Sequence, residues 1–131
     1  MQKIIPFLLF EGKAEEAMNF YLSVFEHGSI KHVTRYGKEG PGPEGSIVHA
    51  IFSLGDLEFM CIDSPVHHAF TFTPALSLYV NCSGKEEVNK LFSKLSEDGK
   101  VLMPLDKYPF SECYGWINDK YGVSWQLSLQ E

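Results

Sequence analysis

Residues 4–21 read IIPFLLFEGKAEEAMNFY, and a similar phrase, PALSLYVNCSGKEEVNKLF, returns at residues 74–92. Each phrase opens with an apolar run typical of a strand, passes a glycine and continues as a charged segment whose apolar residues follow helical spacing. Paired acidic residues and a later glycine stand at matching places: Glu15-Glu16 with Glu86-Glu87, and Gly28 with Gly99. The recurrence predicts two copies of one strand–helix unit in a single chain.

Further strand-like runs follow each predicted helix. They are KHVTRYG, SIVHAIFSL and LEFMCID after the first helix, and KVLMPL, SECYGWIN and VSWQLSL after the second. Each half is therefore predicted to be β-α-β-β-β, with its first strand at about residues 3–10 or 74–82. The expected fold class is α+β, with two tandem βαβββ modules whose curved mixed sheet surrounds a cleft and whose helices lie outside. Module 1 is expected at about residues 1–64, a connector at 65–73 and module 2 at about 74–131.

Local signals predict where the two helices start and end. Ser83 and Glu86 have the spacing of a capping box, which indicates the start of the second helix. Gly12 is expected to start the first helix. Gly28 and Gly99 are expected to end the two helices in the left-handed conformation that glycine adopts without strain.

The composition indicates one compact globular domain. The chain has 131 residues, of which 44% are hydrophobic and 21% charged, so it can form a core. The net charge of −6 and the lack of a Lys/Arg cluster argue against nucleic acid as a partner. The first apolar run is too short for a signal peptide, and no segment approaches the roughly 20 apolar residues that cross a bilayer. A cytoplasmic protein without a membrane partner is expected.

The three cysteines, Cys61, Cys82 and Cys113, lie in apolar or strand-like runs. Their odd number and wide spacing are not typical of a disulfide framework, and no Cys-x-x-Cys motif occurs. They are expected to be free thiols that pack as small apolar side chains.

The tandem βαβββ arrangement resembles the vicinal oxygen chelate superfamily, which includes glyoxalase I, extradiol dioxygenases and the fosfomycin- and bleomycin-resistance proteins. The chain is more narrowly similar to the PhnB-like subgroup, often labelled as a 3-demethylubiquinone-9 3-methyltransferase domain. The phrases that carry the resemblance are PFLLFEGKAEEAMNFYLSVF, SIVHAIFSLGDLEFMCID and, most specifically, YGWINDKYGVSWQLSL. The resemblance implies a homodimer, since the superfamily commonly pairs chains. The methyltransferase label is not supported by any visible S-adenosylmethionine motif, because the Gly-rich first turn of a Rossmann-like sheet is missing, and no cofactor is expected.

The resemblance also implies where related enzymes hold a divalent metal ion. Their ligand positions correspond here to a place at or next to Pro6, to Pro74 or Ala75, to a place near Met60, and to Gln126. Proline and alanine have no ligand atom, and a thioether is a poor ligand for a hard cation. Only Gln126 could coordinate a metal ion, and only weakly. No metal residue is therefore assigned, and a metal held by relocated ligands is the alternative.

His49, on the predicted third strand, is a candidate for proton transfer or for a relocated ligand. Alternation places Ala50 and Phe52 on one face of that strand and His49 on the other, and neither face is plainly polar. The resemblance favours the cleft face, because His-Ala followed by a Gly-Asp turn recurs in the PhnB-like subgroup. The alternative is a half-buried, hydrogen-bonded histidine.

Glu112, Tyr114 and Trp116 alternate along the predicted seventh strand. If they face the cleft, one wall gains an acid, a phenol and an indole, which suits a planar or aromatic ligand. The alternative is aromatic packing at a dimer contact or under a loop.

The expected function is to bind, and in one version to transform, a small aromatic or carbonyl-containing molecule without the usual catalytic metal. The expected ligand-binding residues are Met60, Tyr114, Trp116 and Gln126. In the enzymatic version His49 or Glu112 would move a proton while Gln126 orients a carbonyl group. The alternatives are a binding protein that sequesters a drug or metabolite, as the bleomycin-resistance relatives do, and a metalloenzyme of the lyase or dioxygenase type with relocated ligands.

Overall fold

A computed structural model, which describes residues 2–130, confirms the α+β fold with its two β-α-β-β-β halves. The chain divides between Ala69 and Phe70 into two compact units. The first unit contains β1 (Phe7–Phe10), α1 (Ala14–Val24), β2 (Gly28–Arg35), β3 (Ile47–Leu54) and β4 (Leu57–Asp63). The second contains β5 (Ser77–Cys82), α2 (Lys85–Ser96), β6 (Lys100–Tyr108), β7 (Ser111–Asn118) and β8 (Ser124–Leu129).

Each unit has one four-stranded mixed sheet with the same topology. The strand order is β1-β4-β3-β2 in the first unit and β5-β8-β7-β6 in the second. The first and last strands of each unit pair in parallel, and the remaining neighbours pair antiparallel. A parallel pair needs a crossover connection, and the helix after each first strand begins that crossover. The repeated sequence therefore gives a repeated topology.

One face of the first sheet is buried under α1. Phe52 of β3 stacks on Tyr21 of α1 and on Phe59 of β4, with ring centres 6.3 Å and 5.1 Å apart. Alternate residues of the same strands point the other way, so Ile51 and its register partner Met60 lie on the face turned away from α1. We call the face of a sheet that is turned away from its own helix the open face.

The second sheet has the same arrangement under α2, which buries Val88, Leu91 and Leu95. Gly115 of β7 faces α2, because a Cβ there would stand 2.6 Å from the ring of Phe92. Tyr114 and Trp116, its neighbours along the strand, therefore point to the open face of the second sheet.

The first strand of each unit is shorter than predicted. β1 starts at Phe7 and β5 at Ser77, several residues later than the apolar runs indicate. Pro6 stands just before β1, and its carbonyl accepts a hydrogen bond from the Met60 N–H at 2.9 Å. A proline at this place removes no donor from the β1 ladder, so Pro6 borders the strand and does not interrupt it.

The predicted helix ends are wrong in detail. Gly84 is the N-cap of α2, and Ser83 forms no capping box with Glu86; its N–H and hydroxyl instead donate to Glu87 Oε1 at 2.8 and 3.4 Å. The left-handed residue after α2 is Asp98, with φ of 57°, and not Gly99. In the first unit the N-cap of α1 is Lys13, one residue after the glycine expected to start it.

Gly28 and Gly99 are required by close packing instead. A Cβ at Gly28 would stand 2.8 Å from the Ser53 carbonyl oxygen, and a Cβ at Gly99 would collide with the Asn118 carbonyl oxygen. Each glycine thus lets the strand after the helix approach the next strand of its sheet. The glycine that repeats in the sequence reflects a repeated backbone contact.

Two buried aspartates fasten the ends of strands. Asp63 at the end of β4 accepts two hydrogen bonds from backbone N–H groups at the start of α1, at 2.8 and 2.9 Å, and one from the Ile47 N–H at 2.9 Å. Asp119, just after β7, accepts a hydrogen bond from the Trp125 indole at 2.9 Å. Because each carboxylate joins separate segments of one unit, both residues have a structural role.

The cysteines are free, as predicted, and Cys61 and Cys82 are buried while Cys113 is half-buried. Burial raises the pKa of the Cys61 thiol to about 12 and that of Cys82 to about 11. Within residues 2–130, neither helix has the length and apolar content that a bilayer crossing requires.

Candidate functional site

Three of the predicted ligand-binding residues lie together on the open face of the second sheet. Trp116 of β7 is the register partner of Gln126 of β8, which in turn is the partner of Tyr79 of β5. Tyr114 follows on the same face of β7, two residues before Trp116. The structure therefore brings a phenol, an indole and an amide to one surface.

Direct hydrogen bonds fix the polar groups of this surface. The Tyr114 hydroxyl donates to Gln126 Oε1 at 2.5 Å, and Gln126 Nε2 donates to the Ser77 hydroxyl at 2.6 Å. The Trp116 indole N–H donates to the Ser124 hydroxyl at 2.7 Å. The Gln126 amide is thus held from both ends, which gives it one orientation. Its second N–H and the remaining lone pair of its oxygen are the groups that it can offer to a ligand.

Aromatic rings from β5, β6 and the turn between β6 and β7 surround Tyr114. Phe110 and Tyr108 meet it edge to face, with ring centres 4.8 and 5.5 Å away, and Tyr79 lies 6.4 Å away. Tyr79 and Phe110 remain 51% and 59% exposed, and Phe110 stacks on Tyr108 with ring centres 5.8 Å apart, so both rings keep surface that a planar molecule can reach. Burial, together with the neighbouring phenols, raises the pKa of Tyr114. Tyr114 therefore remains a hydrogen-bond donor at neutral pH.

Glu112 is also on β7, but its side chain is mostly exposed and stands apart from the hydrogen bonds of this surface. Its side chain is 57% exposed, and Oε2 lies 3.6 Å from the Lys107 ammonium. An exposed pair at this distance is a weak interaction. The carboxylate is therefore solvated and does not join the hydrogen bonds of Gln126.

His49 and Met60 lie on the open face of the first sheet. Both side chains are half-buried, and His49 is on the opposite face of β3 from Ala50 and Phe52. The His49 ring lies 5.6 Å from the ring of His32 on β2. The sequence alone suggests only a surface role for His32, since its place beside His49 depends on an irregular register that local patterns do not reveal.

The positions that correspond to the metal ligands of related enzymes do not fit a divalent cation. Pro6, Pro74 and Ala75 have no side-chain ligand atom, Met60 offers only a thioether, and the Gln126 oxygen already accepts a hydrogen bond from Tyr114. In the part of the chain that the structure describes, no three His, Cys, Asp or Glu side chains converge on one point. No chemical step is therefore assigned to a metal at these positions.

A cavity of about 220 Å³ lies elsewhere in the first unit, beside the segment that follows β4. Its lining includes Glu11, Asp63 and His67. Glu11 accepts hydrogen bonds from the His67 ring and the His68 N–H, which hold its pKa below the usual value. The two carboxylates of this cavity thus serve the fold, and the open face of the second sheet is the better candidate for ligand binding.

Comparison with protein families gives one match over nearly the whole chain. A family model described as 3-demethylubiquinone-9 3-methyltransferase matches residues 2–128. A solved structure described as a putative 3-demethylubiquinone-9 3-methyltransferase, PhnB protein, from Bacillus cereus is 61% identical. The match covers 98% of this chain and 100% of that chain, with a TM-score of 0.96.

Two further solved structures extend the comparison. Protein PA1353 from Pseudomonas aeruginosa is 27% identical with a TM-score of 0.84, over 99% of this chain and 98% of that chain. A fosfomycin resistance protein, FosX, from Listeria monocytogenes was solved with Mn(II) and 1S,2S-dihydroxypropylphosphonic acid. It is 11% identical with a TM-score of 0.70, over 100% of this chain and 95% of that chain, and this likeness shows a shared fold alone.

Proposed function

Because the chain belongs to the 3-demethylubiquinone-9 3-methyltransferase family and resembles the vicinal oxygen chelate superfamily, we propose that it binds a small aromatic or carbonyl-containing molecule without the usual metal. The proposed site is the open face of the second sheet. One observation carries the proposal: a fixed amide, Gln126, lies among exposed aromatic rings on one surface.

The chemistry of this surface suits a flat ligand with one polar group. The rings of Tyr79 and Phe110 offer apolar area, and stacked or edge-on aromatic contacts add about 0.5–1.5 kcal/mol per pair beyond burial. The free N–H of Gln126 can donate to a ligand carbonyl oxygen. Tyr114 and Ser77 hold that amide in place before the ligand arrives, so little ordering cost falls on binding.

Tryptophan fluorescence tests this site directly, with 1,4-naphthoquinone as a carbonyl-bearing probe and naphthalene as its apolar match. We expect the quinone to quench Trp116, and Trp116→Phe to remove most of the quenching because Trp125 is buried. Tyr114→Phe frees the Gln126 amide, so we expect about tenfold weaker quinone binding, or about 1.4 kcal/mol, and little change for naphthalene.

The matched control is Tyr36→Phe, which removes a hydroxyl that donates to the Asp63 carbonyl in the first unit. Its quinone affinity should equal that of the parent protein. Equal quinone affinities of the Tyr114→Phe and parent proteins would contradict the proposal, as would undiminished quenching in Trp116→Phe.

A catalytic version assigns proton transfer to Glu112, with Gln126 orienting the carbonyl group of the substrate, or to His49 on the first sheet. Binding without turnover, unaffected by His49→Ala, would reject this version and leave the binding proposal intact. Met60, on the open face of the first sheet, stays a prediction as a separate ligand contact. We propose no methyl transfer, and a lack of S-adenosylmethionine binding in calorimetry is the expected result.

Sequestration of a drug or metabolite is the second candidate function. It is favoured by the exposed aromatic rings, which suit capture of planar compounds. Recovery of the unchanged ligand after prolonged incubation would separate sequestration from catalysis. A metalloenzyme with relocated ligands is the third candidate.

We also propose that the protein is a cytoplasmic homodimer with no nucleic-acid or membrane partner. Free cysteines are typical of a reducing compartment, and the net charge of −6 disfavours a polyanion. Exposed apolar side chains such as Leu76, which is 79% exposed, support burial by a second chain.

A further inference from the structure

His32 and His49 form a pair of imidazoles on the open face of the first sheet. Their ring centres are 5.6 Å apart with the ring planes tilted by 55°. Thr34 lies beside them, since it is the register partner of His49 and its hydroxyl lies 3.0 Å from His32 Nε2. His32 is exposed and His49 half-buried, so solvent reaches the pair.

Two irregularities in the β2–β3 pairing set this arrangement. Lys31 is an extra residue on β2, between the pairs of Ile30 and His32, and Val48 is an extra residue on β3, between the pairs of His49 and Ile47. Bulges of this kind re-aim side chains, and they often lie near functional sites. Here they enclose the short regular stretch in which His32, Thr34 and His49 share a face.

The distance between the two ring centres is close to that expected for chelation of one ion. Two imidazole nitrogens that each bind a tetrahedral zinc ion at about 2.0–2.1 Å hold their ring centres roughly 5 Å apart. The observed 5.6 Å needs only a small side-chain adjustment. Imidazole suits zinc, copper and nickel, whereas magnesium and calcium prefer oxygen ligands.

We propose that His32 and His49 bind one zinc, nickel or copper dication on the first sheet, with Thr34 as a positioning residue. A histidine that binds a metal commonly donates its other ring N–H to an oxygen, which fixes the ring. The Thr34 hydroxyl is placed to accept such a bond from His32 Nε2, which leaves Nδ1 for the metal. Water completes the coordination. Neither histidine is at a position that corresponds to the metal ligands of related enzymes.

Calorimetry on chelator-treated, tag-free protein measures the site with Cu²⁺, Ni²⁺ and Zn²⁺ salts. We expect one ion per chain, and at least tenfold weaker binding in His32→Gln and in His49→Gln. The matched control is His27→Gln, an exposed histidine just before β2 and outside the pair, which should bind as the parent does. Circular dichroism of each variant verifies that it folds.

Electron paramagnetic resonance of the Cu²⁺ complex counts the nitrogen ligands. The parent should show coupling to two imidazoles, and each single variant to one. Thr34→Val should weaken binding about tenfold and Thr34→Ser should restore it, since serine keeps the hydroxyl. Less than one-fifth of an ion per chain would overturn the proposal. So would affinities and spectra unchanged in both histidine variants, while loss of quinone binding on the second sheet would leave this proposal untouched.

Discussion

Single atoms set how closely the strand after each helix can approach its neighbour. At Gly28 and Gly99 a β-carbon would meet a backbone carbonyl oxygen, so the next larger side chain already forces the strands apart. Backbone cannot move aside as a flexible side chain can, because its ladder hydrogen bonds would be lost. These glycines therefore stabilise the sheet because they lack a side chain. The sequence pattern identifies both residues as important, but it predicts a left-handed helix end where the structure shows close backbone packing.

Gly99→Ala should lower the free energy of unfolding by about 2–3 kcal/mol, because the added methyl group collides with the Asn118 carbonyl oxygen. Urea denaturation followed by circular dichroism measures the change. Gly37→Ala is the control, since a Cβ there has no atom within 4 Å, and it should stay within about 0.5 kcal/mol of the parent. Equal midpoints for Gly99→Ala and Gly37→Ala would contradict the packing argument.

At the scale of elements, the order and type of strands and helices follow from the sequence, because hydrophobic periodicity and the repeat are local signals. Their edges do not. β1 starts only at Phe7, which pairs with Met60 although β4 already begins at Leu57. Glu87 rather than Glu86 accepts the hydrogen bond from Ser83. The shared face of Tyr114, Trp116 and Gln126 follows from alternation once the register is known. Ser77 and His32 could not be found beforehand, since their contacts depend on strand pairing across long sequence separations and on bulges.

The cap of α2 gives a test at this scale. Glu87→Ala should destabilise the protein by about 0.5–1 kcal/mol, because Ser83 N–H then loses its partner at the helix start. Glu86→Ala is a matched control in the same first turn, with a similar effect on the helix dipole and no bond to Ser83. Thermal unfolding of both variants measures the difference. A larger loss of stability in Glu86→Ala than in Glu87→Ala would contradict this prediction and favour the capping box expected from the sequence.

At the scale of the whole molecule, several large apolar side chains are exposed, which is unfavourable in water. Ile4 and Leu76 are 83% and 79% exposed, and Phe7 at the edge strand β1 is 51% exposed. Uncovered edges and apolar patches on a monomer favour association. The sequence suggests this only through its resemblance to a superfamily that pairs chains.

Light scattering coupled to size exclusion should therefore give twice the 14.8 kDa chain mass. The expected reason is burial of apolar side chains by a second copy, which should hold across a wide range of protein concentration. Leu76→Lys should shift the population toward the single-chain mass, because it places a charge on an apolar surface. A single-chain mass for the parent protein at about 100 μM would contradict the proposed dimer.

The hydrogen bonds of Gln126 allow a charged side chain to replace it. Both of its partners, Tyr114 and Ser77, carry hydroxyl groups, and a hydroxyl can turn to donate to whatever oxygen it meets. A glutamate at this place would accept from both, so Gln126→Glu changes the charge of the surface while keeping each bond. One substitution would thus convert the proposed carbonyl-binding surface into one that attracts cations, with each hydrogen bond of position 126 kept.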